Sequence, residues 1–127
     1  MKLLPNFQQA VISQEKLEGY VLNPEHPEGK HKARVFREAL NIERRHAPIL
    51  AELIRNSLSR APAEWRDTND YGKSWTSWHE IVGLNGQSLI VTVAWMFKVD
   101  AEQIPVLITC YIESDEQEKL KTLFELE

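Results

Sequence analysis

Apolar residues recur with a helical period in the first half of the chain and with a two-residue period in the second. Leu17, Tyr20 and Val21 share helical spacing, and Ser13 can cap the short helix that they predict, through about Tyr20. Asn23-Pro24 and His26-Pro27 then force an extended loop, because a residue preceding proline avoids the helical region. After Gly29, the positions of Ala33, Val35, Phe36, Ala39 and Leu40 predict a helix over 30–40. Ile49, Leu50, Leu53, Ile54 and Leu58 predict a longer one, ending near Ala61-Pro62. Pro48 leaves two ways for it to begin: near Arg45 to Ala47, or at Glu43 with a kink.

Residues 67–72 are polar and rich in turn formers, and three strands are predicted after them, at 73–82, 88–98 and 105–113. The middle strand is apolar on nearly both faces, and Asn85-Gly86 offers a hairpin turn before it. In the third strand, strict alternation puts Thr109 and Tyr111 on one face with Leu107, and Ile108, Cys110 and Ile112 on the other. Ser114 and Gln117 have capping-box spacing ahead of a last helix carrying Leu120, Leu123, Phe124 and Leu126. The predicted fold is α+β: N-terminal helices packed on a C-terminal antiparallel β-meander of three or more strands, closed by a short helix. A single domain is expected over 1–112, with an acidic helical tail over 113–127.

Composition narrows the class. At 127 residues, with 43% hydrophobic and 27% charged residues, the chain can bury a core without staples. One cysteine, Cys110, excludes an internal disulfide and reads as a small buried hydrophobe. The short apolar run at Met1 to Leu4 does not suit a signal peptide, and no run reaches membrane-spanning length, so a cytoplasmic address without membrane contact is expected. No histidine pair has zinc spacing, and there is no phosphate-binding glycine loop, dinucleotide fingerprint, serine elbow or paired-carboxylate signature. Neither a metal nor a cofactor is implied.

Net charge is −4, but it is unevenly spread. Between His26 and His46, six Lys/Arg face three acids; from Glu113 onward, six acids face two lysines. The basic stretch combines a rigid loop with a helix start, where free amides favour an anion but the dipole disfavours the crowded cations. A bound phosphate would relieve that conflict. Lys30, Arg34 and Arg37 share one helix face as candidate substrate-binding residues, with His31 beside them as a phosphate contact. Lys32 falls instead within the apolar arc, and is either snorkelling past the helix end or held there for a task. His26 is the acid–base candidate, and Thr109 with Tyr111 is a hydroxyl pair able to hold a phosphate or move a proton. His46 is assigned to packing or capping at the Pro48 helix, and His79 to structure. The four tryptophans read mostly as core, with Trp75 or Trp78 exposed.

The run from Leu17 to Phe36, together with Tyr71-Gly72, Gly83-Leu84-Asn85-Gly86, Trp95 and the stretch from Pro105 to Tyr111, resembles a small uncharacterised bacterial domain family. That family occurs as stand-alone proteins and at the C-termini of polymorphic toxins. The order of helices before a sheet is also similar to the metal-independent ribonuclease toxins of the barnase, colicin and RelE type. The resemblance implies a toxin-related endoribonuclease-like domain acting on RNA, with a cognate antitoxin or immunity protein. His26, His31, Lys32, Thr109 and Tyr111 would be its catalytic set, a histidine acting as general base. Two rivals are a non-catalytic interaction domain docking through its acidic tail or an exposed tryptophan, and an enzyme holding a small anionic ligand in the basic pocket.

Overall fold

The computed structural model describes residues 2–125; Met1, and Leu126 and Glu127 of the predicted last helix, lie outside the described residues. Ser13 caps α1 (Gln14–Lys16) by accepting a hydrogen bond from the Lys16 amide. The helix widens at once into a π turn over Leu17–Val21. α2 spans Lys30–Leu40 and stops at Asn41, whose left-handed backbone (φ 57°) lets its amide cap the last turn. α3 spans Ala47–Ser57 with Pro48 in its first turn, so the kinked alternative does not occur. A 3-10 turn at Arg44–His46 leads into it, and there His46 Nδ1 accepts the Glu43 amide at 2.9 Å, the capping role expected of it.

Four strands follow: β1 (Ala63–Asn69), β2 (Gly72–Val82), β3 (Ser88–Lys98) and β4 (Pro105–Tyr111). They form one antiparallel meander in the order β1-β2-β3-β4. β1 is not among the three predicted strands. It is an edge strand exposed at every residue after Ala63, so no burial alternation marks its sequence. Trp65, on that strand, is half exposed, against the expectation of a core tryptophan; Trp95 is fully buried and Trp78 nearly so.

α1 to α3 cover the sheet face that carries Val91, Val93, Trp95 and Phe97 of β3. Phe36, Leu40, Leu50 and Ile54 supply the helix side of that core, each fully buried and each contributing roughly 2 kcal/mol of apolar burial. A bulge in the β3–β4 pairing changes the faces of β4. Leu107 pairs with Trp95 and Cys110 with Val93, so both face the helices, while Thr109 and Tyr111 pair with Ala94 and Thr92. Strict alternation had grouped Leu107 with Thr109 and Tyr111; the extra residue at the bulge separates them.

α4 (Gln117–Glu125) packs near Ile90, and its Leu120 and Leu123 line a cavity with Trp78. The Ser114–Gln117 capping box does not form. The Gln117 amide instead bonds both the N–H and the carbonyl of Ile90, at 2.7 and 3.0 Å, continuing the ladder where β4 has ended. Among the described residues, no helix is long and apolar enough to cross a membrane.

Candidate functional site

The loop at 23–29 is built from its own side chains. Asn23 Oδ1 accepts the Glu25 amide, and His26 Nδ1 accepts the amides of Glu28 and Gly29, both at 3.0 Å. The His26 carbonyl then accepts the Lys30 amide, which starts α2. Gly29 is required there, since a Cβ would collide with the Tyr20 carbonyl oxygen. That close approach presses the first turn of α2 against the π turn. The Tyr20 ring meets the His26 ring edge-on at 4.8 Å.

Lys32 leaves the first turn of α2 toward the outer edge of β4. Its Nζ donates to the Tyr20 hydroxyl at 2.8 Å and to Thr109 Oγ1 at 3.1 Å. The ammonium also lies 4.7 Å from the Tyr20 ring centre and 5.6 Å from that of Tyr111. Among the described residues, no carboxylate forms an ion pair with it. Two of its three N–H donors are engaged, which leaves one for a ligand. Of the two readings open from sequence, the half-buried lysine is held rather than snorkelling freely. Burial pushes the Tyr111 hydroxyl above its ordinary value, Glu113 adds to this and Arg66 opposes it, so the phenol is a donor at neutral pH.

His26, Lys32, Thr109 and Tyr111 therefore converge on one cluster, and Tyr20 completes it. Sequence reasoning assigned Tyr20 only to an apolar stripe. Its hydroxyl was the sole signal, and the π turn that aims it is not legible in a residue pattern. The remaining candidates lie elsewhere. Lys30, His31, Arg34 and Arg37 line a separate surface cavity with Pro24, and the helical angle puts Lys30, Arg34 and Arg37 on the flank of α2 opposite Lys32.

The loop fixes which tautomer the neutral His26 ring adopts. With Nδ1 accepting two amides, the neutral ring carries its proton on Nε2, as the hydrogen-bond network assigns it. The neutral ring then has one donor, Nε2–H, and no free acceptor nitrogen while the loop holds this shape.

Two groups elsewhere are inert. The Cys110 thiol is pushed up to about 12 by burial, with Lys32 opposing, so it is no nucleophile at neutral pH. His79 is fully buried, and burial, with Arg60 adding to it, holds its pKa down to about 3. Its Nδ1 lies 2.6 Å from Ser57 Oγ and its Nε2 lies 2.7 Å from Ser77 Oγ. Ser57 spends its proton on the Ile54 carbonyl, and Ser77 accepts from Trp95 Nε1 at 2.7 Å. Those two constraints fix the whole chain: Nδ1 donates to Ser57, and Ser77 donates to Nε2. The structural role expected for His79 is what this geometry describes. Among the described residues, no cluster of three or more His, Cys, Asp or Glu is arranged to hold a metal ion.

Residues 3–114 match a domain family of unknown function, DUF6883. The chain belongs to that family. The matched span of this DUF6883 domain takes in the helices, all four strands and every residue of the Lys32 cluster, and ends before α4. No curated protein matches the chain. Among solved structures, a chain from a contact-dependent growth inhibition toxin–immunity protein complex of Klebsiella pneumoniae 342 is similar, with a TM-score of 0.56 and 13% identity. The likeness covers 86% of the DUF6883 chain and 97% of the other, and at that identity it is a likeness of fold.

Proposed function

We propose that this domain is a toxin-type, metal-independent endoribonuclease that holds the scissile phosphate of RNA at the Lys32 cluster. One observation carries the reading: a half-buried ammonium held by two neutral hydroxyls and two aromatic rings, with no described carboxylate to neutralise it. Such a group is positioned and electrically unspent. The likeness in fold to a chain of a toxin–immunity complex supports a toxin or immunity role.

In the reaction, the ribose 2′-oxygen attacks phosphorus, and the bond from phosphorus to the 5′-oxygen breaks. Charge grows on the non-bridging oxygens, where the remaining Lys32 N–H and the Tyr111 hydroxyl act as donors. Thr109 and Tyr20 set the ammonium in place. His26 adds a fixed Nε2–H donor; its Nδ1 is spent on the loop, so it does not serve as the general base expected from sequence. The 2′-hydroxyl proton passes to water, and the 5′-oxygen takes one from water. Catalysis here is electrostatic and positional.

The same observation on His26 favours a second reading, in which the cluster binds a phosphate without cleaving it and the domain works by interaction, as an immunity-type or degenerate toxin domain. Purified protein incubated with total RNA separates the two. The nuclease reading expects new fragments from the wild type and a loss of roughly 10²- to 10³-fold in Lys32→Met. Intact RNA, with Lys32-dependent binding of an uncleavable 2′-O-methyl strand, would establish the second reading. Intact RNA with no such binding removes both.

A further inference from the structure

Two surface cavities lie side by side on the flank of α2 away from Lys32, and they share Pro24 and Arg37 as a common wall. One, of 290 Å³, adds Lys30, His31 and Arg34. The other, of 230 Å³, adds Arg44 and Arg45 from the 3-10 turn before α3, with Glu43 as the one carboxylate. The two adjoin along that wall as one grooved surface with five cations along it.

Little in the protein neutralises them. Arg45 pairs with Glu43 at 3.3 Å, and Arg37 stands 4.0 Å from Glu38. Among the described residues, Lys30, Arg34 and Arg44 make no ion pair. Lys30 and Arg34 are also neighbours at i and i+4, an arrangement that costs the helix up to about 0.5 kcal/mol. A bound polyanion would offset that repulsion.

We infer that this groove is a second anion site, separate from the Lys32 cluster, which takes consecutive phosphates of a nucleic-acid strand. The alternative occupant, an acidic protein surface, fits less well. Protein interfaces draw their affinity from buried aromatic anchors, and no aromatic side chain lines either cavity except the imidazole of His31. The most exposed large hydrophobics, Tyr71, Val99, Val82 and Trp65, all lie in the sheet half of the chain. A row of guanidinium groups and an ammonium is instead the footprint of backbone-positioning contacts. The groove would carry affinity without sequence preference and hold the strand whether or not Lys32 cuts it.

The test is the salt dependence of binding, read by fluorescence anisotropy. A 2′-O-methyl RNA strand, a DNA strand of the same sequence and polyglutamate serve as probes, and none of them can be cleaved through a 2′-hydroxyl. Three or more phosphate contacts predict a log–log salt slope of about 2 or steeper for the wild type, hence roughly twenty-fold weaker binding for fourfold more salt. Combining Lys30→Gln, Arg34→Gln and Arg44→Gln should remove most of that slope. These side chains are exposed, so the thermal midpoint should hold. Lys32→Met should lower the slope by no more than about 0.7. Tighter binding of the 2′-O-methyl strand identifies RNA as the source of the phosphates, tighter binding of DNA identifies DNA, and equal binding supports a groove that reads the phosphates common to both. A wild-type slope below about 0.7, a triple variant that binds like the wild type, or polyglutamate bound as tightly as either strand would each overturn the inference. None of these outcomes bears on cleavage at Lys32, which the RNA digestion tests separately.

Discussion

Two polar clusters interrupt the apolar layers of this protein, and they are built on opposite principles. Around His79, every donor has an acceptor: Trp95 Nε1–H to Ser77, Ser77 to His79, His79 to Ser57, and Ser57 to the Ile54 carbonyl. All of these side chains are buried, and the chain has a single consistent proton order. Around Lys32, a full charge is half-buried and meets only hydroxyls and ring faces, with a donor to spare. A saturated buried network specifies a packing arrangement; a positioned charge left unsaturated at the surface is available for a ligand.

Acid should produce the largest effect that separates them. The folded pKa of His79 is about 3 and its unfolded value about 6.5, so the unfolded state binds the proton first. The stability from keeping His79 neutral is complete above pH 6.5 and is lost as pH falls toward 3, at up to about 1.4 kcal/mol per unit. Urea titrations across that window should show a steeper decline for the wild type than for His79→Gln; parallel curves would refute the assignment.

Next in size is Ser77→Ala, which strands the Trp95 indole N–H and the His79 Nε2 together. Each orphaned group costs about 1–3 kcal/mol, so a loss of at least about 2 kcal/mol in chemical denaturation is expected, with the binding of an uncleavable RNA strand unchanged in folded protein. A loss below about 0.5 kcal/mol would mean that the proton order is wrong. Tyr111→Phe should reduce RNA cleavage about tenfold or more while moving the thermal midpoint little, since it removes one donor and keeps the ring over Lys32. The smallest effect sharpens the contrast most: Lys32→Met should change stability by less than about 1 kcal/mol in either direction, because no ion pair is broken and the apolar arc gains a compatible side chain. A loss above 2 kcal/mol would make Lys32 a structural residue like His79.

The helices and strands β2 to β4 were legible because burial on one face imposes a period on the residues that make it. β1 was not, since an edge strand exposed on both faces carries no such period. Lys32 was legible as an anomaly, a charge inside the apolar arc of α2, and Thr109 with Tyr111 as a hydroxyl pair. Their meeting was not, because it depends on β4 lying at the sheet edge beside α2 and on the bulge that turns Leu107 away from that pair. Tyr20 and the tautomer of His26 were out of reach for a related reason. One follows from a π turn, the other from two amides aligned by a proline loop, and each is a matter of backbone path.

The sequence by itself determined the α+β class, the placing of helices before an antiparallel meander, most of the core and the two anomalous features, a charge in an apolar arc and a basic stretch on an acidic chain. Tertiary structure alone decided what the two sides of the basic helix meet: Tyr20, Thr109 and Tyr111 around Lys32, and Arg44 and Arg45 beside Arg37 on the other flank. Residues two positions apart on a helix point about 200° away from each other, so which neighbours each one meets depends on what packs against the two sides.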